Sequence, residues 1–87
     1  MNRLTTTKGY NMNTITVTFR LLDNDVIALF PKEVWSDGYI ASYMHIGQHS
    51  GASKDLLTEL PRANKQQYAA LLTELQTIYD HAVLVVE

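Results

Sequence analysis

Several classes of protein are excluded by what this 87-residue chain lacks. It has no cysteine, which removes disulfide frameworks, thiolate zinc sites and cysteine nucleophiles together. Its four glycines and two prolines are too few for a collagen-like or low-complexity sequence. No apolar run approaches the roughly 20 residues that a membrane-spanning helix needs. We therefore expect one small globular domain without a membrane span, and the lack of disulfides favours the cytoplasm.

Basic residues are too scattered to favour nucleic acid as a partner. Lys and Arg total 7 against 9 Asp and Glu, so the net charge is −2. A domain that binds phosphate backbones usually carries a basic excess. The 46% of apolar residues is ordinary for a folded domain and excludes disorder as the main state.

The first half of the chain carries the signals of a β-meander. Residues 1–11 have no periodicity and are interpreted as a flexible tail, which leaves residues 12–87 as the domain. Residues 14–21 alternate strictly between apolar and polar, which is typical of a half-buried strand. An Asp-Asn-Asp turn then leads to a continuous apolar run at residues 26–30, which predicts a second strand of a hairpin.

Proline and glycine divide the middle of the chain. Pro31 is predicted to end the second strand, because proline has no backbone donor. Residues 31–38 are then a loop that closes in an Asp-Gly turn, and residues 39–46 are a third strand. Residues 47–53 hold two glycines and two serines and are predicted to be a loop.

Two helices and a last strand follow. Ser53 is predicted to cap a short helix over residues 54–60. A long helix over residues 64–79 has an Asn64 N-cap with Gln67 at the capping-box spacing. Its apolar stripe recurs at the helical period and comprises Tyr68, Leu71, Leu72, Leu75, Ile78 and Tyr79. Residues 82–86 are nearly all apolar, which predicts a strand covered on both faces.

The order β-β-β-α-α-β predicts an α+β fold, a two-layer sandwich in which an antiparallel meander packs on one long amphipathic helix. A right-handed crossover could place the C-terminal strand parallel to the third or to the first strand, and the position beside the first strand is preferred. The predicted core consists of Ile15, Val17, Phe19, Ala28, Phe30, Leu71, Leu72, Leu75 and Ile78.

The segment from residue 45 to residue 53 is the only stretch dense in reactive side chains. Loops on a rigid sheet often carry function, and histidine offers both a donor and an acceptor near neutral pH. We therefore predict a ligand- or partner-binding site without catalytic residues, metal or cofactor. Its residues are His45, Gln48, His49 and Ser50, bordered by Trp35 and Asp37.

Three other interpretations of these residues stay open. His45 and His49 have a spacing known from zinc sites, with His81 or Asp37 as a third ligand. Ser50 could act as a nucleophile with a histidine base and Asp37 as orienter. A strand face with exposed tyrosines could stack nucleobases, as some RNA-binding sheets do; its members would be Tyr39 and Tyr43. In a purely structural interpretation, the two glycines supply turns, the polar side chains satisfy local backbone groups, and the tyrosines lie in the core or at its rim.

Three segments carry a resemblance to a known family. They are VIALFP at residues 26–31, SYMHIGQHS at 42–50 and QYAALLTEL at 67–75. In this order they resemble an uncharacterised family of small bacterial proteins associated with plasmids, integrative elements and phages. Tyr79 stands where that family often has Gly-Tyr, so the helix end differs.

The resemblance implies a setting in mobile genetic elements and no particular activity. We expect a small cytoplasmic accessory domain that is not an enzyme and acts by binding a protein or a small ligand. The alternatives are a small enzyme or metal protein centred on His45 and His49, or a nucleic-acid module. A sheet with open edges also predicts a homodimer.

Overall fold

Five strands form one mixed sheet in the computed structural model, which describes residues 13–45 and 48–87. In chain order the strands are β1 (Asn13–Leu22), β2 (Asp25–Ser36), β3 (Tyr39–Met44), β4 (Gln48–Ser53) and β5 (Ala82–Val86). Their order across the sheet is β4-β3-β2-β1-β5. The first four strands pair antiparallel as a meander, and β5 pairs parallel with β1, which confirms the predicted return beside the first strand.

Two helices complete the α+β fold: α1 (Leu56–Glu59) and α2 (Lys65–Ile78). The helix α2 covers one face of the sheet, where Leu71 and Leu75 pack with alternate residues of β1 and β2. The single turn of α1 packs on the opposite face, against Ile27 and Leu29 of β2. The predicted two-layer sandwich therefore accounts for the sheet face that α2 covers but not for the opposite face, on which α1 packs. As a result, β2 is buried on both faces.

The predicted element order omitted one strand. Residues 47–53 were predicted to be a loop, but Gln48–Ser53 is β4, an edge strand paired with β3. The prediction was wrong because β4 is polar and contains Gly51, so it lacks the apolar alternation of a half-buried strand. Gly51 therefore lies within a strand and does not form the turn expected there.

The predicted loop at residues 31–38 was also wrong in extent. Pro31 does not end β2, because the pairing with β3 shifts register between Phe30 and Val34, and a missing donor is tolerated at such an irregularity. Only the Asp37-Gly38 turn remains of the loop, with Gly38 at a φ of 79°. The bulged segment turns the side chains that follow it to new faces.

The core prediction holds apart from the end of the long helix. Six of the predicted residues are buried: Val17, Phe19, Ala28, Phe30, Leu71 and Leu75. Ile15 and Leu72 are partly buried, whereas Ile78 is 42% exposed. The last strand is not covered on both faces as predicted, since Val83 and Val85 are exposed at the edge of the sheet.

The connection between the helices runs alongside the C-terminal half of β1. Arg62 forms an isolated antiparallel bridge with Arg20, and the Arg20 guanidinium donates to the Leu60 carbonyl at 3.1 Å. The chain then enters α2 through the predicted capping box, in which Asn64 and Gln67 bond to each other's backbone N–H groups at 2.8 Å. The short helix begins later than predicted, with Asp55 at its N-cap in place of Ser53.

The predicted tail, residues 1–11, lies outside the described residues. Within the described part of the chain, neither helix has the length and apolar character needed to cross a membrane.

Candidate functional site

Two clefts flank α2, one toward each end of the helix. The Trp35 cleft has a volume of about 280 Å³ and is lined by Ile15, Phe30, Glu33, Trp35, Ala41, His49 and Tyr79. The Glu74 cleft has a volume of about 480 Å³, and its lining includes Asp25, His45, Gln67, Leu71 and Glu74. Among the described residues, α2 contributes only its C-cap residue, Tyr79, to the lining of the Trp35 cleft, so the body of the helix does not line it.

The walls of the Trp35 cleft depend on the bulge in β2. Phe30 points toward α2, so regular alternation would send Glu33 and Trp35 to the opposite face. The register shift between Phe30 and Val34 reverses this alternation and brings both side chains into the cleft. Trp35 stays 53% exposed.

The absence of a side chain at Gly51 leaves the space that the Trp35 ring occupies. A Cβ atom built on Gly51 would overlap Trp35 Cδ1 and lie 2.9 Å from Nε1, so a side chain here would force the indole ring to shift. The indole therefore packs directly over the backbone of β4. Ala41 pairs with Gly51 across the two strands, and these small residues leave the concave floor of the cleft.

His49 and Tyr79 form the wall opposite Trp35. His49 Nε2 and the Tyr79 hydroxyl are 2.7 Å apart and share a hydrogen bond. The His49 ring also packs on the buried Tyr43, with centroids 4.7 Å apart, and Tyr79 meets Phe30 edge to face at 6.2 Å. His49 is nevertheless exposed.

Glu33 is the carboxylate of this cleft. Partial burial, and after it the negative charge of Glu33, raise the pKa of Tyr79 above its ordinary value of 10.0. Tyr79 therefore remains a neutral hydroxyl at physiological pH. Among the described residues, Glu33 forms no salt bridge.

The Glu74 cleft is built around a three-residue hydrogen-bond chain. The hydroxyl of Tyr43, a residue that is only 2% exposed, donates to Glu74 Oε2. His45 Nδ1 lies 2.7 Å from Glu74 Oε1 and donates to it, since an ionised carboxylate can only accept. The Tyr43 hydroxyl first, and His45 second, hold the pKa of Glu74 below its ordinary value.

The predicted site residues separate into different places. Trp35 and His49 meet in the Trp35 cleft, whereas His45 belongs to the Glu74 cleft. Ser50 faces the other side of the sheet, where its hydroxyl lies 3.3 Å from the Ser42 hydroxyl. Asp37 lies in the exposed turn between β2 and β3, outside both linings. The side chain of Gln48 lies outside the described residues.

This separation weighs against the alternative chemistries. His49 and Ser50 project from opposite faces of β4, so the nucleophile–base pair of the triad interpretation does not form. The two histidines bind different residues, Glu74 of α2 and Tyr79 at its C-cap, and in residues 13–45 and 48–87 no group of three His, Asp or Glu side chains is placed to hold a metal ion.

The tyrosine face is not an exposed stacking surface. Tyr39 is 49% exposed, but Tyr43 is buried and its hydroxyl is bound to Glu74. The proposed nucleobase platform therefore lacks its second ring, and the two tyrosines occupy the rim and the core respectively.

Three residues of the clefts were missed by reasoning from the sequence: Glu33, Glu74 and Tyr79. Tyr79 was assigned to the apolar stripe, but its place at the C-cap of α2 puts its hydroxyl beside His49. Glu74 follows Leu71 by three positions on the helix, a spacing that could have placed it beside the core. Glu33 reaches the cleft only because of the bulge in β2, and no pattern in the sequence indicated that position.

Comparisons with family models, with curated proteins and with solved structures returned no match to this chain.

Proposed function

We propose that this chain is a non-enzymatic binding domain whose Trp35 cleft receives part of a partner protein or a small ligand. The observation that supports this proposal is the uncovered aromatic cleft, in which the half-exposed Trp35 stands over an apolar floor. Binding sites are typically concave and mostly apolar with a few oriented polar groups. Tryptophan is also enriched among the residues that dominate binding energy at interfaces.

The Glu74 cleft is larger but less suited to this role. Its carboxylate already accepts from Tyr43 and His45, so a ligand would have to displace existing hydrogen bonds. Among the described residues, Glu33 forms no salt bridge, and the Trp35 ring is half-exposed. The smaller Trp35 cleft is therefore the better candidate.

Affinity capture from a bacterial host extract, followed by rebinding of the purified captured molecule, tests the proposal. The full chain is compared with Trp35→Ala and with Val34→Ala, whose side chain is 82% exposed and lies outside the cleft. We expect Trp35→Ala to weaken rebinding by at least about tenfold and Val34→Ala to leave it unchanged. Equal rebinding by all three proteins would contradict the proposal.

A second copy of the chain is a further proposed partner. The edge strand β5 exposes Val83, Val85 and Val86, and two such strands could pair antiparallel about a two-fold axis. Light scattering should then give a dimer that Val85→Lys converts to a monomer, while Val34→Lys stays dimeric. A monomer at high micromolar concentration of the unaltered chain would rule this homodimer out.

The setting that we propose is the bacterial cytoplasm, in a chain carried by mobile genetic elements. The family resemblance supports the genetic setting, and the lack of cysteine favours a reducing compartment. Fractionation of cells expressing the tagged chain tests the compartment.

A further inference from the structure

We infer that the Trp35 cleft selects a cationic head group of the alkylammonium class, such as a methylated amine. This inference rests on the proposed function, because both place the ligand in the same cleft. It adds the chemical class of what enters.

The charge of the cleft lining favours a cation. Glu33 is the carboxylate of the lining, and among the described residues no lysine or arginine lines the cleft. An anionic ligand would meet the Glu33 charge without a counter-charge. A neutral apolar ligand would remove water from that carboxylate and give nothing in return.

The aromatic walls favour the same class. Trp35, Tyr79 and Phe30 line the cleft, and aromatic ring faces attract cations through their quadrupole, with tryptophan the strongest. Quaternary and methylated ammonium groups bind such aromatic cages, because their charge is spread over methyl groups that also make apolar contacts. The Trp35 ring lies against the backbone of Gly51, so one wall of the cleft is an indole ring.

The size of the cleft suits a head group. Its volume of about 280 Å³ corresponds to roughly nine water molecules. This space accommodates an ammonium group with its methyl substituents or the end of a lysine side chain.

The Glu74 cleft provides an internal contrast. It also contains a glutamate, but that carboxylate already accepts hydrogen bonds from Tyr43 and from His45. Among the described residues, Glu33 forms no salt bridge, and its cleft contains the only tryptophan of the chain. The cation site is therefore assigned to the Trp35 cleft alone.

Titration of the full chain with choline tests the inference. Trp35 is the only tryptophan, so its emission reports on the cleft directly, and calorimetry gives an independent affinity. The matched probe is the neutral dimethylbutanol isostere of choline, in which carbon replaces the ammonium nitrogen. We expect saturable choline binding, roughly millimolar, that is stronger than binding of the isostere by about 2- to 30-fold.

Two substitutions that remove the same charge sharpen the test. Glu33→Gln should weaken choline binding several-fold, whereas Asp37→Asn, in the exposed turn outside the cleft, should leave it unchanged. Both residues are exposed, so neither change endangers the fold. Equal affinity for choline and its isostere, no binding of choline, or equal effects of the two substitutions would each overturn the inference.

These outcomes are separable from the capture experiment. Capture that depends on Trp35 without choline selectivity would leave the proposed function in place and remove the cation class. Choline selectivity without Trp35-dependent capture would support the cation class and contradict the proposed function.

Discussion

The two clefts beside α2, called the Glu74 end and the Tyr79 end after one residue of each, are built on the same kind of contact with opposite consequences. In each cleft a histidine beside the β3–β4 connection meets α2, at Glu74 within the helix or at Tyr79 at its C-cap. His45 meets the carboxylate of Glu74, which the buried Tyr43 also binds. The polar side chains at this end are therefore already hydrogen-bonded to one another. His49 meets the neutral hydroxyl of Tyr79, and the nearby Glu33 forms no salt bridge among the described residues.

This difference shows how one helix can both stabilise a sheet and leave a site beside it. The Glu74 end places its polar groups around a buried tyrosine, where unsatisfied groups would be costly. The Tyr79 end stands over small residues, Ala41 and Gly51, and keeps its aromatic rings accessible. The first end is therefore expected to matter for stability and the second for binding.

The largest expected effect comes from the residue that anchors the helix between the two ends. Leu75 is fully buried, and Leu75→Ala should lower the free energy of unfolding by about 2–5 kcal/mol. Ile78→Ala is the control, because Ile78 is 42% exposed and should cost less than about 1 kcal/mol. Urea denaturation of both variants measures the difference, and similar costs would show that α2 is anchored elsewhere.

Removing one hydroxyl at each end separates the two roles. Tyr43→Phe leaves a buried ring without its hydrogen bond to a carboxylate and should cost about 1–2 kcal/mol. Tyr79→Phe loses a bond to an exposed histidine and should cost less than about 0.5 kcal/mol. Thermal and urea unfolding compare the two proteins. If Tyr79→Phe proves the more damaging, the assignment of stability to the Glu74 end is wrong.

The Glu74 end should also respond to acid. The pKa of Glu74 is lower in the folded chain than its ordinary value of 4.5, so the unfolded chain binds the proton more readily. The stability that this carboxylate contributes is therefore complete above about pH 5 and is lost as the pH falls through the lowered folded-state pKa.

Unfolding curves between pH 7 and pH 3 check this expectation. The stability difference between the unaltered chain and Glu74→Gln should shrink as the pH falls. The control Glu59→Gln, at an exposed carboxylate of α1, should keep a constant small difference. A Glu74→Gln difference that does not change with pH would contradict the expectation.

The smallest effect on stability is expected at the Trp35 end. Gly51→Ala places a methyl group where the Trp35 ring lies, but that ring is half-exposed and can move outward. We expect a cost of about 1 kcal/mol or less, with a red shift of the tryptophan emission as the ring enters water. In a Trp35→Ala background the same change should become neutral, and a cost that persists there would mean that Gly51 serves the strand itself.

Much of the fold could be predicted because periodicity reports burial directly. The alternation of residues 14–21 and the helical stripe of residues 68–79 correspond to β1 and α2, whose inner faces form the core. The capping box was predictable for the same local reason, since both partners lie within four residues. The edge strand β4 was not, because one polar strand at the rim of a sheet resembles a loop in composition.

The candidate site could be predicted only in part. Trp35 and His49 line one cleft, but Ser50 was assigned to the same site because it is adjacent to His49 in sequence. In a strand, adjacent residues face opposite sides, and this rule could not be applied to a segment interpreted as a loop. Glu33 could not be predicted, because the bulge after Phe30 reverses the faces without leaving a periodic signal.

The parallel pair of β1 and β5 has a consequence for how the domain folds. β5 joins Ala82 to Asn13 and Val86 to Val17, so the two ends of the described chain meet in one ladder. Contacts between residues so distant in sequence slow folding, because the intervening chain must be ordered before they form. The antiparallel meander and α2 can assemble from shorter-range contacts, so we expect β5 to dock last and to open first in hydrogen exchange.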